Sequence, residues 1–146
     1  MTDNSFTTTV LVGKTPGEAF RAIVNPRGWW CDTIEDGADR LGATWNYHYK
    51  DKHFSTHRTT GLVAGKKVVW HVVDETMKLP NKDLHDWRGT DIIFDIARKG
   101  DKTEIRFTHI GLVPTAESFD MCSPAWTGLI QDSLRKLIET GRGNPV

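Results

Sequence analysis

The sequence predicts an α+β domain in which one long C-terminal helix crosses a sheet of antiparallel strands. Three features carry that expectation. Residues 91–110 alternate apolar and polar side chains on both sides of a Gly100-Asp101 turn. The rest of residues 41–112 is a run of strand-like segments and tight turns. After Ser123, apolar residues recur at helical spacing as far as Ile138.

Taken in order, Phe6, Thr8, Val10 and Val12 alternate with Thr7, Thr9 and Leu11 as in a half-buried strand. Thr15-Pro16-Gly17-Glu18 then starts a short helix: Thr15 is the N-cap, Pro16 the first helical residue, and Glu18 closes a capping box. Pro26 pushes Asn25 out of the helical region and ends it. Residues 27–32, with Trp29 and Trp30, read as a second short helix.

With a two-residue turn at Gly100-Asp101, Lys99 faces Lys102, and Ile92, Phe94 and Ile96 face His109, Phe107 and Ile105. The opposite face pairs Ile93 with Thr108 and Asp95 with Arg106. A slip of one residue would mix the two faces. A turn at Asp51-Lys52 sets Trp45, Tyr47 and Tyr49 opposite Arg58, Thr56 and Phe54. A turn at Ala64-Gly65 sets His71 opposite Arg58 and Val69 opposite Thr60, so that Trp45, Tyr47, Tyr49, Phe54 and His71 share a face. Val68, Trp70 and Val72 make the other face apolar too, and a bulge or a longer loop there reverses the assignment.

In the last helix, Ser123 is the expected N-cap, Pro124 the first helical residue, and Gly141 the left-handed cap. Trp126, Leu129, Ile130, Leu134, Leu137 and Ile138 fall on one half of the wheel, and Gln131, Asp132, Arg135, Lys136 and Glu139 on the other. The helix is about 25 Å long at 1.5 Å per residue. Ser133, near the middle of the apolar half, either leaves a hollow or packs at a helix interface.

Composition narrows the function. The 146 residues, 38% hydrophobic and 26% charged, suit one globular domain. Nineteen basic residues balance nineteen acidic ones, so the basic excess of nucleic-acid or membrane-surface binders is missing. No stretch approaches the ~18 apolar residues of a membrane helix. Met1-Thr2-Asp3-Asn4-Ser5 has no basic region followed by an apolar run, and two cysteines make no disulfide framework. The expected compartment is the cytoplasm, with both thiols reduced. Six tryptophans exceed what a small core needs for packing and point to a cavity or an interface.

This order of elements resembles the helix-grip fold of the START-like superfamily, also called SRPBCC. Within it, the chain is similar to proteins like the C-terminal domain of the activator of Hsp90 ATPase. The resemblance rests on Thr15-Pro16-Gly17-Glu18-Ala19-Phe20 entering the first helix, the Trp29-Trp30 pair, and Trp87-Arg88-Gly89-Thr90 leading into residues 91–96. Phe107-Thr108-His109-Ile110-Gly111-Leu112 precedes the last helix, and Trp126, Ser133-Leu134 and Thr140-Gly141 recur in and after it. It implies a curved sheet wrapped around the C-terminal helix, with an apolar cavity open at one end. Members bind lipids, hormones or polyketide-like molecules; others are cyclases, hydrolases or oxygenase components, and one branch contacts a chaperone.

The expected binding residues are Trp45, Tyr47, Phe54, His71, Phe94, Phe107, His109 and Trp126 within the cavity, with Trp30, Trp87, Met121 and Cys122 near its mouth. Burial should keep His109 neutral, free to hydrogen-bond a ligand or act as acid/base, or else to bond backbone or a helix end. His71 with Arg58 either holds a carboxylate or forms a surface ladder. His53 and His57, four apart on a strand, stand roughly 13 Å from each other, too far to share a metal. Cys122, placed just before the helix, reads as a small buried hydrophobe. Glu75, Asp83 and Asp86 fall in residues 75–89, which read as a flap or mouth whose charges face solvent.

The resemblance therefore implies a small hydrophobic ligand, lipid- or polyketide-like, and the residues lead us to expect no cofactor, metal, nucleic acid or membrane insertion. The alternatives are a cyclase, dehydratase or hydrolase using His109, and a chaperone-partner module of the Hsp90 type. Apolar residues on both faces of residues 68–73 leave room for a homodimer contact.

Overall fold

The computed structural model describes residues 5–146. Residues 1–4, read above as carrying no leader, lie outside it. Strand β1 (Ser5–Val12) and helix α1 (Pro16–Ile23) are followed by β2 (Thr44–Tyr49), β3 (His53–Val63) and β4 (Lys67–Lys78). The short β5 (Asp83–Leu84), then β6 (Asp91–Lys99) and β7 (Lys102–Ile110), complete the strands. The C-terminal helix runs as α2 (Phe119–Gly128), a π-helical stretch (Leu129–Leu134) and α3 (Arg135–Thr140). All pairings are antiparallel, in the order β1-β7-β6-β4-β3-β2, with β5 on β4. Among the described residues no helix is long and apolar enough to cross a membrane.

Local chemistry sets the first elements. The Glu18 amide donates to Thr15 Oγ1 and the Thr15 amide to Glu18 Oε1, closing the capping box. After Asn25, the second short helix expected over residues 27–32 is a single 3₁₀ turn, Pro26–Gly28. It delivers Trp29 and Trp30 into the core, at 0% and 2% exposure.

The β6–β7 register is the expected one, with Phe94 opposite Phe107 and Ile92 opposite His109. The β2–β3 register is one residue away from expectation. Lys50 adopts φ 52°, which widens the connection to three residues and pairs Tyr49 with His53 and Tyr47 with Ser55. His53, Ser55, His57 and Thr59 therefore face inward, and Phe54 faces out, stacked on His48.

Between β3 and β4, His71 does oppose Arg58, but Val69 opposes Gly61, because the ladder shifts at Thr60. A second irregularity, between Thr56 and His57, leaves Val73 as an extra residue in β4. Side chains alternate along a strand, so one extra residue exchanges the faces beyond it. Val68, Trp70 and Val72 point inward before the bulge, and Glu75 points inward after it. His71 lies on the outer face, where its Nδ1 meets Asp91 Oδ1 at 2.8 Å.

The C-terminal helix starts at Phe119, five residues before the expected first residue, with Pro124 inside it and Cys122 at the end of its first turn. Its amino end is tied by the Ser118 amide, which donates to Asp86 Oδ2 at 2.9 Å. Trp126, Ile130, Leu134 and Ile138 are buried at strict four-residue intervals. An ideal α-helix would drift by about 40° at each such step. The wider π turns oppose that drift and keep the stripe on the sheet. Gly141, at φ 84°, supplies the left-handed cap. The tail then folds back, its Asn144 amide donating to Ser133 Oγ and its Val146 amide to the Trp30 carbonyl.

Candidate functional site

The tryptophans form one cluster centred on Trp30. Its ring centroid lies 4.9 Å from Trp126, 6.2 Å from Trp29, and 6.4 Å from each of Trp45, Trp70 and Trp87. Stacked and edge-on pairs at these separations add to the burial of the rings themselves. Trp45, Trp70, Phe94 and Phe107 close the interior behind this hub, each at 0% exposure. Trp30, Trp87 and Trp126 have another side. They form one wall of a cavity of about 750 Å³ between the C-terminal helix and the far end of β2, β3 and β4.

Each element contributes to that space. From the sheet come Tyr47, Tyr49, His53 and Met77, and from the turn after β4 come Leu79 and Pro80. The helix supplies Met121, Cys122, Ala125, Gly128 and Leu129, and the tail closes the rim with Asn144 and Val146. Ser133 also lines it, yet its hydroxyl is used by the fold: it donates to the Trp29 carbonyl and accepts from the Asn144 amide, both at 2.7 Å. Lys52, Lys78 and Asp132 are the charged groups at the rim.

One buried acid stands behind the wall. Glu75 is 2% exposed; its Oε1 accepts the Trp87 amide at 3.1 Å and its Oε2 meets His53 Nε2 at 2.7 Å. Of residues 75–89, Met77 to Pro80 and Trp87 line the cavity, and Glu75 does not face water as expected; the bulge at Val73 turns it inward. Asp86 is likewise engaged, by the Ser118 amide. His53 packs edge-on against Tyr47 and Trp87, with centroids at 5.4 and 4.6 Å.

His109 is fully enclosed. Trp126 Nε1 donates to its Nδ1 at 3.2 Å, and its Nε2 lies 2.8 Å from Thr90 Oγ1. The Thr90 hydroxyl donates to the Trp87 carbonyl, so its oxygen receives the His109 proton. The ring is thus neutral and protonated on Nε2, with both nitrogens occupied by protein partners. Burial holds its pKa down at about 3, as it does for His57, which stacks on Trp45 at 4.5 Å. Burial also pushes the Cys122 thiol up to about 11 and raises the Tyr47 phenol above its ordinary value. Neither is prepared for nucleophilic attack.

No protein-family model matches the chain, and no curated protein does. Solved structures do. The Aha1 dimer from Colwellia psychrerythraea is 23% identical, with a TM-score of 0.76 over 95% of this chain and 98% of that one. DynU16, from the dynemicin biosynthetic locus, is 14% identical with a TM-score of 0.70 over 97% of this chain, which spans 49% of DynU16. CV1439 from Chromobacterium violaceum is 18% identical with a TM-score of 0.66, covering 93% of this chain and 97% of that one. This chain has the START-like helix-grip fold.

Within the helix-grip frame the expected binding residues divide by position. Trp30, Tyr47, Trp87, Met121, Cys122 and Trp126 line the cavity. Trp45, Phe94, Phe107 and His109 belong to the packed core behind it, because the central rings interlock and leave the void to one side. Phe54 and His71 lie on the outer face, excluded by the wider β2–β3 loop and the bulges of β3–β4. His53 and Glu75 escape the sequence reading. The signal available for them was the same alternation, counted from Lys50 as a left-handed residue and with one residue added in β4.

Proposed function

We propose that this chain binds a small, largely apolar, ring-bearing molecule in the cavity between its sheet and its C-terminal helix. The observation that carries the reading is the 750 Å³ void walled by Trp30, Tyr47, Tyr49, Trp87 and Trp126. Ligand sites of roughly 300–1,000 Å³ are mostly apolar with a few placed polar groups. Flat indole and phenol faces favour flat guests, and the two methionines adapt to their outline. DynU16, whose locus makes dynemicin, shares the scaffold and is consistent with a guest of the polyketide class.

Binding is favoured over acid/base turnover at His109, since neither of its nitrogens is free for a substrate. The test is native mass spectrometry of freshly purified protein, with uptake of anilinonaphthalene sulfonate by the wild type and by Ala125→Trp. Ala125 lines the cavity from an exposed position, so a bulky ring there obstructs it with little effect on the core. Retained small molecules and uptake lost in the variant support the reading; uptake equal in both proteins counts against it. The same spectra count subunits and so test for a dimer such as that of Colwellia Aha1.

A further inference from the structure

We infer that the His53–Glu75 pair is the polar recognition point of the cavity, and that it takes the hydroxyl of a phenol- or enol-bearing guest. This rests on the cavity reading above and adds to it the chemical class of the ligand. A buried carboxylate among aromatic rings is costly unless its oxygens hold donors. Glu75 meets that condition twice, from the Trp87 amide at Oε1 and from His53 at Oε2. An ionised carboxylate only accepts, so the shared proton sits on His53 Nε2, and in the neutral ring that the assignment requires the lone pair is on Nδ1.

That second nitrogen is the unusual one. His53 lines the cavity, and its Nδ1 bonds to no protein atom among the described residues. It is also not among the buried atoms left without a partner, so it keeps some exposure, on a residue that lines the cavity. His57 and His109 differ: one is closed against Ser55 and Trp45, the other against Thr90 and Trp126. Of the three inward-facing histidines, His53 alone presents an acceptor to a guest. Tyr47 and Trp87, edge-on to its ring, hold it in that orientation.

A matched pair of probes separates this assignment from apolar uptake. Naphthol and its methyl ether have the same rings, but only naphthol donates a hydrogen bond. The ether is the more apolar, so the cavity alone would favour it. The wild type should bind naphthol roughly three- to tenfold more tightly than the ether, the range of one net hydrogen bond. In Glu75→Gln the amide oxygen still accepts from Trp87, while the amide nitrogen donates to His53 Nε2 and moves the ring proton to Nδ1. The preference for naphthol should then vanish, because the oxygen of either probe can accept from Nδ1–H. The double variant His53→Phe with Glu75→Gln, which leaves no lone buried carboxylate, should show the same loss. Nitrogen NMR of the His53 ring should report the exchange of protonated and bare nitrogens between wild type and Glu75→Gln. Equal binding of both probes by the wild type, or an unchanged preference in both variants, overturns the assignment and leaves the cavity reading standing. Failure of both probes to bind overturns the cavity reading and this assignment with it.

Discussion

The indole N–H of Trp126 donates to Nδ1 of His109 across 3.2 Å, joining the C-terminal helix to the last strand through a buried polar contact. The partner at the other nitrogen, Thr90, continues the chain to the Trp87 carbonyl at the cavity wall. The network is complete, and its members are the residues that position two of the cavity's indoles.

His109→Phe breaks the contact while keeping an aromatic ring. It strands the Trp126 donor and should cost about 1–3 kcal/mol of stability, read by urea unfolding. Uptake of an apolar probe should persist, because His109 does not line the cavity. A fully folded variant that loses uptake would refute this division of roles.

Acid should weaken the fold in a defined window. His57 and His109 have folded pKa values near 3 against an ordinary 6.5, so below pH 6.5 the unfolded chain binds protons that the folded chain refuses. Stability therefore rises with pH between about 3 and 6.5 and is level above that, as far as these two groups act. Near pH 5 each histidine should account for a loss of about 2 kcal/mol. Glu18 and Asp74, whose pKa values are lowered by their hydrogen bonds, titrate below that part of the window. Urea midpoints measured at pH 7, 6 and 5 check this, and His57→Gln should flatten the trend; a midpoint independent of pH would contradict it.

Gly128 offers a test without damage to the core. It sits in helical conformation, φ −63°, and a Cβ added there meets nothing within 4 Å. Gly128→Ala should raise stability by up to about 1 kcal/mol through helix propensity. Gly128→Leu should keep much of that gain and reduce probe affinity several-fold, since the position lines the cavity. Thermal melts and probe titration on the same samples decide; tighter binding in the leucine variant would misplace the cavity.

Ser133→Ala removes a hydroxyl that serves both the Trp29 carbonyl and the Asn144 amide. The expected cost is about 1–3 kcal/mol, with faster hydrogen exchange at Asn144 and Val146. Unchanged exchange at both amides would show that the tail is held by other contacts.

The sequence was most legible where alternation and a two-residue turn agree, as in the β6–β7 hairpin and the capping box at Thr15. It was least legible where one residue is added. Lys50 in a left-handed conformation and the extra residue at Val73 each exchange the faces of a strand, and no side-chain pattern announces either. Those two events remove Phe54 and His71 from the interior and bring in His53 and Glu75. The helix start was misread because Ser123-Pro124 has the chemistry of a cap, while the actual start at Phe119 has no side-chain cap and is held by the distant Asp86. Six tryptophans did indicate a cavity wall, though only three of them line it.

The crowding of five indoles around Trp30 has an optical consequence. Rings this close are expected to exchange excitation before they emit, and near-ultraviolet dichroism of the folded protein would show their coupling. Trp30, Trp87 and Trp126 border the void, and a guest that quenches any one of them darkens the whole set. On the binding reading proposed above, the protein would carry its own reporter of occupancy, with no label attached.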